Sequence, residues 1–130
     1  MIDSLKPNQV FIFGSNAAGH HYGGAAHQPY EQFGAEWGVG EGLTGQAYAF
    51  PTLTADMQKV SYTELKASRL KLYKTAEAHP DKEFLLTKVG CGIAGFEESK
   101  IKALFRNAPS NITKPADWVV EKGLTEGEQQ

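Results

Sequence analysis

The stretch Glu83-Phe84-Leu85-Leu86-Thr87-Lys88-Val89-Gly90-Cys91-Gly92-Ile93-Ala94-Gly95-Phe96-Glu97-Glu98 runs from an apolar segment, through three glycines, into an acidic pair suited to the first turn of a helix. An apolar run of this length that ends at glycine predicts a buried strand over 83–89. Ile101, Leu104 and Phe105 repeat at helical spacing beyond the glutamates, and Pro109 limits the helix they predict. The order is therefore strand, glycine loop, helix, which is a nucleotide-site layout. Gly90, Gly92 and Gly95 let the backbone take positive φ and come close to a ligand, so that successive N–H groups converge on an anion. Cys91 and Ala94 are small enough to leave the approach open, and the following helix directs its unpaired N–H groups to the same place. A phosphate or diphosphate is the guest this loop predicts. A tight turn without a ligand accounts for the same residues, and Glu97 and Glu98 already neutralise the helix dipole.

Two further strands are expected upstream, at Val10-Phe11-Ile12-Phe13, which ends in Gly14-Ser15-Asn16, and at Ala47-Tyr48-Ala49-Phe50, closed by Pro51. Ser61 and Glu64 have the spacing of a capping box. Tyr62, Leu65, Leu72, Tyr73 and Ala76 follow with helical period, and His79-Pro80 supplies a stop. This helix is expected to cross between parallel strands. Residues 23–33 read as helical with a break or a restart near Pro29, because an interior proline costs about 3 kcal/mol. Glycine recurs at 34, 38, 40, 42 and 45, so 34–46 is expected to be a lid over one side of the site or a bulged hairpin. The sequence thus describes one α/β domain over 1–120, with a mixed, mostly parallel sheet and a polar tail over 121–130 that cannot offset its ordering entropy.

Composition limits the function. One cysteine in 130 residues excludes an intrachain disulfide framework and a zinc knuckle, and suits a reducing, cytoplasmic setting. No apolar run reaches the roughly 18 residues of a membrane span, and Met1-Ile2-Asp3-Ser4 lacks the blocks of a signal peptide. A formal net charge of −2 argues against a nucleic-acid duplex as partner, since neutralising a phosphate backbone needs a concentrated basic surface. An anionic ligand must then be small and held by local geometry.

The segment from Phe13-Gly14-Ser15-Asn16 to Gly23-Gly24-Ala25-Ala26-His27 also follows a buried strand and carries small residues into a helix-like stretch. Two such loops at the carboxyl ends of parallel strands face one crevice. In these stretches the chain resembles macro domains, which carry Asn-Ala-Ala-Asn after a buried strand, then Gly-Ala-Ile-His, and later Ser-Thr-Gly-Ile-Tyr-Gly-Tyr. It is similar in particular to macro-like proteins of bacteria and phages, through Gly14-Ser15-Asn16-Ala17-Ala18-Gly19-His20 and through Gly40-Glu41-Gly42-Leu43-Thr44-Gly45-Gln46-Ala47-Tyr48. The resemblance covers about residues 8–118. It implies a compact three-layer α/β/α fold that binds ADP-ribose or a related NAD-derived nucleotide and requires no further cofactor. It places Asn16 at the distal ribose, with Ser15, Gly23, Gly24 and Ala25 in the first loop. Gly90, Cys91, Gly92, Ile93, Ala94 and Gly95 wrap the diphosphate, Phe96 lies near ribose or base, and Asp3 is at the adenine amino group.

The departures bear on catalysis. Phe13 stands where the family has its first asparagine, and Gly23 where hydrolytic members often have an aspartate, so the motif places no carboxylate to activate water. Asn16, His20 and His21 are the catalytic candidates, with Glu41 and His27 as further titratable groups. The His20-His21 pair alone is a poor zinc signal, and no metal site is expected. Cys91 beside a helix start could act as a nucleophile if its pKa were lowered, and as a spacer otherwise. Binding of a small nucleotide, or of an ADP-ribosylated protein, is the leading expectation. Its enzyme form is an ADP-ribosyl hydrolase or ADP-ribose phosphate phosphatase. The alternative is a phage or bacterial accessory protein that acts through protein contacts, its glycine turns being structural.

Overall fold

The computed structural model describes residues 4–21 and 26–119. Asp3, Gly23, Gly24, Ala25 and the tail lie outside the described residues. Among the described residues, five strands form one sheet: β1 (Gln9–Asn16), β2 (Gly42–Thr44), β3 (Ala47–Leu53), β4 (Glu83–Leu86) and β5 (Ile112–Thr113), in the order β2-β3-β1-β4-β5. β1 pairs in parallel with β3 and β4, β4 pairs in parallel with β5, and only the β2–β3 pair is antiparallel. The chain is α/β with a mixed, mostly parallel sheet. Helices α1 (His27–Gln32), α2 (Tyr62–Ala78) and α3 (Glu98–Leu104) complete it, with a short 3-10 turn at Ala116–Trp118.

The four apolar residues of β1 are buried on both faces, as a central parallel strand requires. Val10 and Ile12 join Phe50, Leu65, Leu72, Phe84 and Ile101 in a core beneath α2 and α3. Phe11 and Phe13 point the other way and pack with Phe33, Ala35, Ala47 and Ala49. The capping box forms in full: Glu64 N donates to Ser61 Oγ at 3.1 Å and Ser61 N to Glu64 Oε1 at 2.8 Å. At the far end, Asn111 Nδ2 donates to the carbonyls of Ala76, His79 and Lys82, binding the end of α2 to the approach to β5. Ser61→Ala should lower stability by about 1 kcal/mol, read as a lower urea midpoint with an unchanged slope.

Two expectations, on where β3 and β4 end, need correction. β3 does not stop at Pro51 but runs to Leu53, with Pro51 level with Ser15 of β1. Gln46 O accepts from Phe11 N, so by alternation residue 51 faces away from β1, where β2 has already ended opposite Ala49. The missing N–H of proline therefore costs no rung. Helix α1 starts at His27, close to Pro29, which is tolerated because it sits in the first turn, where its N–H would have no helical partner. β4 ends at Leu86, three residues short of the expected 89. Thr87 there turns its side chain to the ladder, donating from Oγ1 to Ile12 O at 2.7 Å.

Candidate functional site

The carboxyl ends of β1, β3 and β4 border a cleft of about 600 Å³. From β1 and the loop after it come Gly14, Ser15, Asn16 and His20. The far side is the glycine loop, through Gly90, Gly92, Ile93 and Ala94. The two loops expected to face each other therefore share one cavity. In the glycine loop, Gly90 and Gly95 take φ of +79° and +76°, and Phe96 N donates to Gly90 O at 2.8 Å, closing the turn. A Cβ on Gly90 would lie 2.9 Å from the Phe96 ring and 3.3 Å from Thr52 Cγ2, whereas one on Gly92 would meet nothing within 4 Å. Gly95 N donates to Gly92 O at 3.0 Å and Cys91 N to Lys88 O at 3.2 Å. Between them, the amides of Gly92, Ile93 and Ala94 have no acceptor among the described residues. All three residues line the cleft.

The expected contribution of the α3 N-terminus is small. The helix has seven residues, and Glu98 occupies its first turn. The Glu98 carboxylate accepts from Trp118 Nε1 at 2.8 Å and pairs with Lys88 at 3.0 Å, and these bonds hold its pKa below the usual carboxylate range. Lys88 lines the cleft, but its ammonium is also 2.7 Å from Asp117, so its charge is already countered.

Asn16 is buried, and its amide is used at both ends by one neighbour: Nδ2 donates to His20 O at 2.8 Å and Oδ1 accepts from His20 N at 3.0 Å. This clamp fixes the loop and leaves one N–H and one lone pair of the amide for a guest. Ser15 is likewise buried, with Oγ donating to Gly40 O at 2.6 Å. His20 stacks on Trp37, ring centroids 5.1 Å apart.

Several candidates fall elsewhere. His21 is 1% exposed behind β1, where Nε2 donates to Glu36 O at 2.9 Å and the ring packs edge-on against Phe13. The two adjacent histidines do not share a site, and no group of three or more metal-binding side chains gathers among the described residues. Glu41 lies toward α2, 3.4 Å from Lys71, and is no part of the cleft. Cys91, Gly95 and Phe96 belong to the glycine loop without lining the cavity. Burial, and then Glu98, push the Cys91 thiol up, which opposes a nucleophilic role. Phe96 carries Lys59 over its ring at 4.5 Å. No residue of 34–46 lines the cleft. Gly45 and Gln46 connect the two strands of a hairpin, and Trp37 stacks on His20, which lines the cleft. The hairpin reading of this segment is the one observed for 42–46.

The carboxyl end of β3 was missed. Thr52 and Leu53 line the cleft, followed by Ala55 and Met57 in the next turn. Pro51 concealed them by suggesting an earlier strand end. Met57 has φ +67°, a left-handed conformation that costs a residue with a Cβ roughly 1–2 kcal/mol. The turn is tied to the glycine loop by Lys59, whose Nζ donates to Gly95 O at 3.3 Å. No carboxylate lines the cleft among the described residues, and no described helix is long and apolar enough to cross a membrane. No protein-family model, no curated protein and no solved structure matches the chain.

Proposed function

We propose that this cleft binds ADP-ribose or a related NAD-derived nucleotide, with the diphosphate on the amides of Gly92, Ile93 and Ala94. The observation that carries the reading is those three consecutive unpaired N–H groups beside a cavity of about 600 Å³, within the range of small-ligand pockets. Since the Lys88 ammonium is already paired, recognition of the anion falls to the backbone, which favours a diphosphate at a defined place over diffuse attraction of any polyanion. The free N–H and lone pair of Asn16 suit a ribose hydroxyl, as the macro-domain resemblance implies. Binding is the core of the proposal. Hydrolysis of an ADP-ribosyl group in this cleft would fall to His20, the one imidazole among the described residues that line it.

ADP-ribose at about 100 times its Kd should stabilise the fold by about 2.7 kcal/mol, seen as a rise in Tm. Gly92→Val should fold, since its Cβ meets open space, and should bind at least about tenfold more weakly because the side chain covers the neighbouring amides. Unchanged affinity in a folded Gly92→Val protein, by calorimetry, would overturn the diphosphate site. Absence of any Tm rise across a panel of adenine nucleotides would favour a protein-contact role instead. Through its stack on His20, Trp37 should report the same event: its emission should change with the calorimetric affinity, and a flat signal during saturable binding would place the nucleotide away from His20.

A further inference from the structure

A second concavity, of about 660 Å³, lies between α3 and β5 and shares no lining residue with the nucleotide cleft. Ala103, Ile112 and Trp118 give it an apolar lining, and Lys102, Arg106 and Lys114 stand around them. Lys102 and Arg106 are four residues apart along α3 and the turn after it, so they share one side. Lys114 Nζ donates to Arg106 O at 3.2 Å, which brings the third cation to the same place. None of the three forms an ion pair among the described residues. The acidic residues beside Trp118, Glu98 and Asp117, share the single ammonium of Lys88, and Asp117 also lies within electrostatic reach of Lys102. Burial and then the neighbouring Lys102 draw Lys114 below the usual lysine range, as expected of crowded like charges. The chain has net charge −2, so this cluster runs against the overall balance.

Cations alone would suit inorganic phosphate, which would leave the apolar lining uncovered. An apolar lining alone would suit a greasy helix, which would strand three charges. From this pairing we infer that the α3–β5 groove docks an acidic peptide segment of a partner protein, its carboxylates on Lys102, Arg106 and Lys114 and one large apolar side chain against Trp118 and Ile112. Among the described residues β5 is an edge strand, so a peptide backbone lying beside it meets no other described strand. The proposal does not depend on what the nucleotide cleft binds.

The test uses the full chain and a short fluorescein-labelled peptide of glutamates flanking one leucine, followed by anisotropy. Binding should weaken at least about tenfold in Lys102→Glu/Arg106→Glu and by less than about twofold in Lys66→Glu/Lys74→Glu, which makes the same charge change on α2. If the reversal unfolds the chain, Lys102→Gln/Arg106→Gln replaces it. Replacing the peptide leucine by serine should also cost about tenfold. Equal losses in the two double variants would reduce the effect to generic charge, and indifference to the leucine would reduce it to anion binding. Either result overturns the proposal, as does a lack of binding. Binding seen only when Glu121, Glu126 and Glu128 are changed to Gln overturns it too, naming the chain's own acidic segment as the occupant.

Discussion

Gly40→Val should destabilise the chain by about 3 kcal/mol, an unusually large effect for a single added side chain. A Cβ at this position would press on the carbonyl oxygens of Asn16 and Ala17 and on the carbonyl carbon of Ala17. These are backbone atoms at the end of β1, and they cannot rotate aside as a side chain could. The same spot is held by the Ser15 Oγ bond to Gly40 O and, nearby, by Gly38 N donating to Gly19 O at 2.9 Å. Two loops approach there with no room for side chains. Gly92→Val is the matched control: the residue change is identical, the new Cβ meets open space, and the cost should stay within about 0.5 kcal/mol. Urea denaturation of both proteins decides the matter. Equal midpoints would show that the close approach at Gly40 does not occur in solution.

The second large effect is expected at Phe50. Its ring is fully buried under α2 and α3 and meets Phe105 edge to face, with centroids 5.4 Å apart and planes at 62°. Phe50→Ala removes that contact and leaves a cavity in the middle of the larger core, so it should cost about 3–5 kcal/mol. Phe50→Leu should fall between the two, and Leu70→Ala, at a residue 55% exposed, should cost less than about 0.5 kcal/mol. Thermal unfolding should rank the variants in that order. A Phe50→Ala cost below 1 kcal/mol would mean that the Phe50–Phe105 core is not packed as described. Because Phe50 lies two residues before Thr52, a variant that still folds should also lose affinity for the nucleotide proposed to occupy the cleft.

Much of this was legible because local and tertiary demands agree. Val10 to Phe13 had to be buried on both faces, and Ser61 with Glu64 had to start a helix, since each reading depends on neighbours in sequence. The convergence of Ser15 and Asn16 with Gly90 to Ala94 followed from both loops lying at carboxyl ends of parallel strands. The rest depended on partners far along the chain. Whether Pro51 ends a strand turns on where β2 stops, and whether Pro29 breaks a helix turns on where that helix begins. His20 and His21 look equivalent as letters, yet one borders the cleft and the other is buried behind β1 because successive side chains diverge. Met57 gave no signal, since nothing in a methionine announces a left-handed turn.

The sheet order has a consequence for how the chain is made. β1 emerges before the other described strands during synthesis, yet it lies between β3 and β4, and the contact of Gln9 with Glu83 spans 74 residues. Parallel partners cannot be supplied by a hairpin, so Val10-Phe11-Ile12-Phe13 stays without its second neighbour until β4 has been translated. During that interval a β-prone, uncharged segment is open to pairing with other nascent chains. Fragments that stop before β4 should therefore aggregate rather than fold, and refolding of the whole chain should be slow and sensitive to concentration, set by the wait for β4.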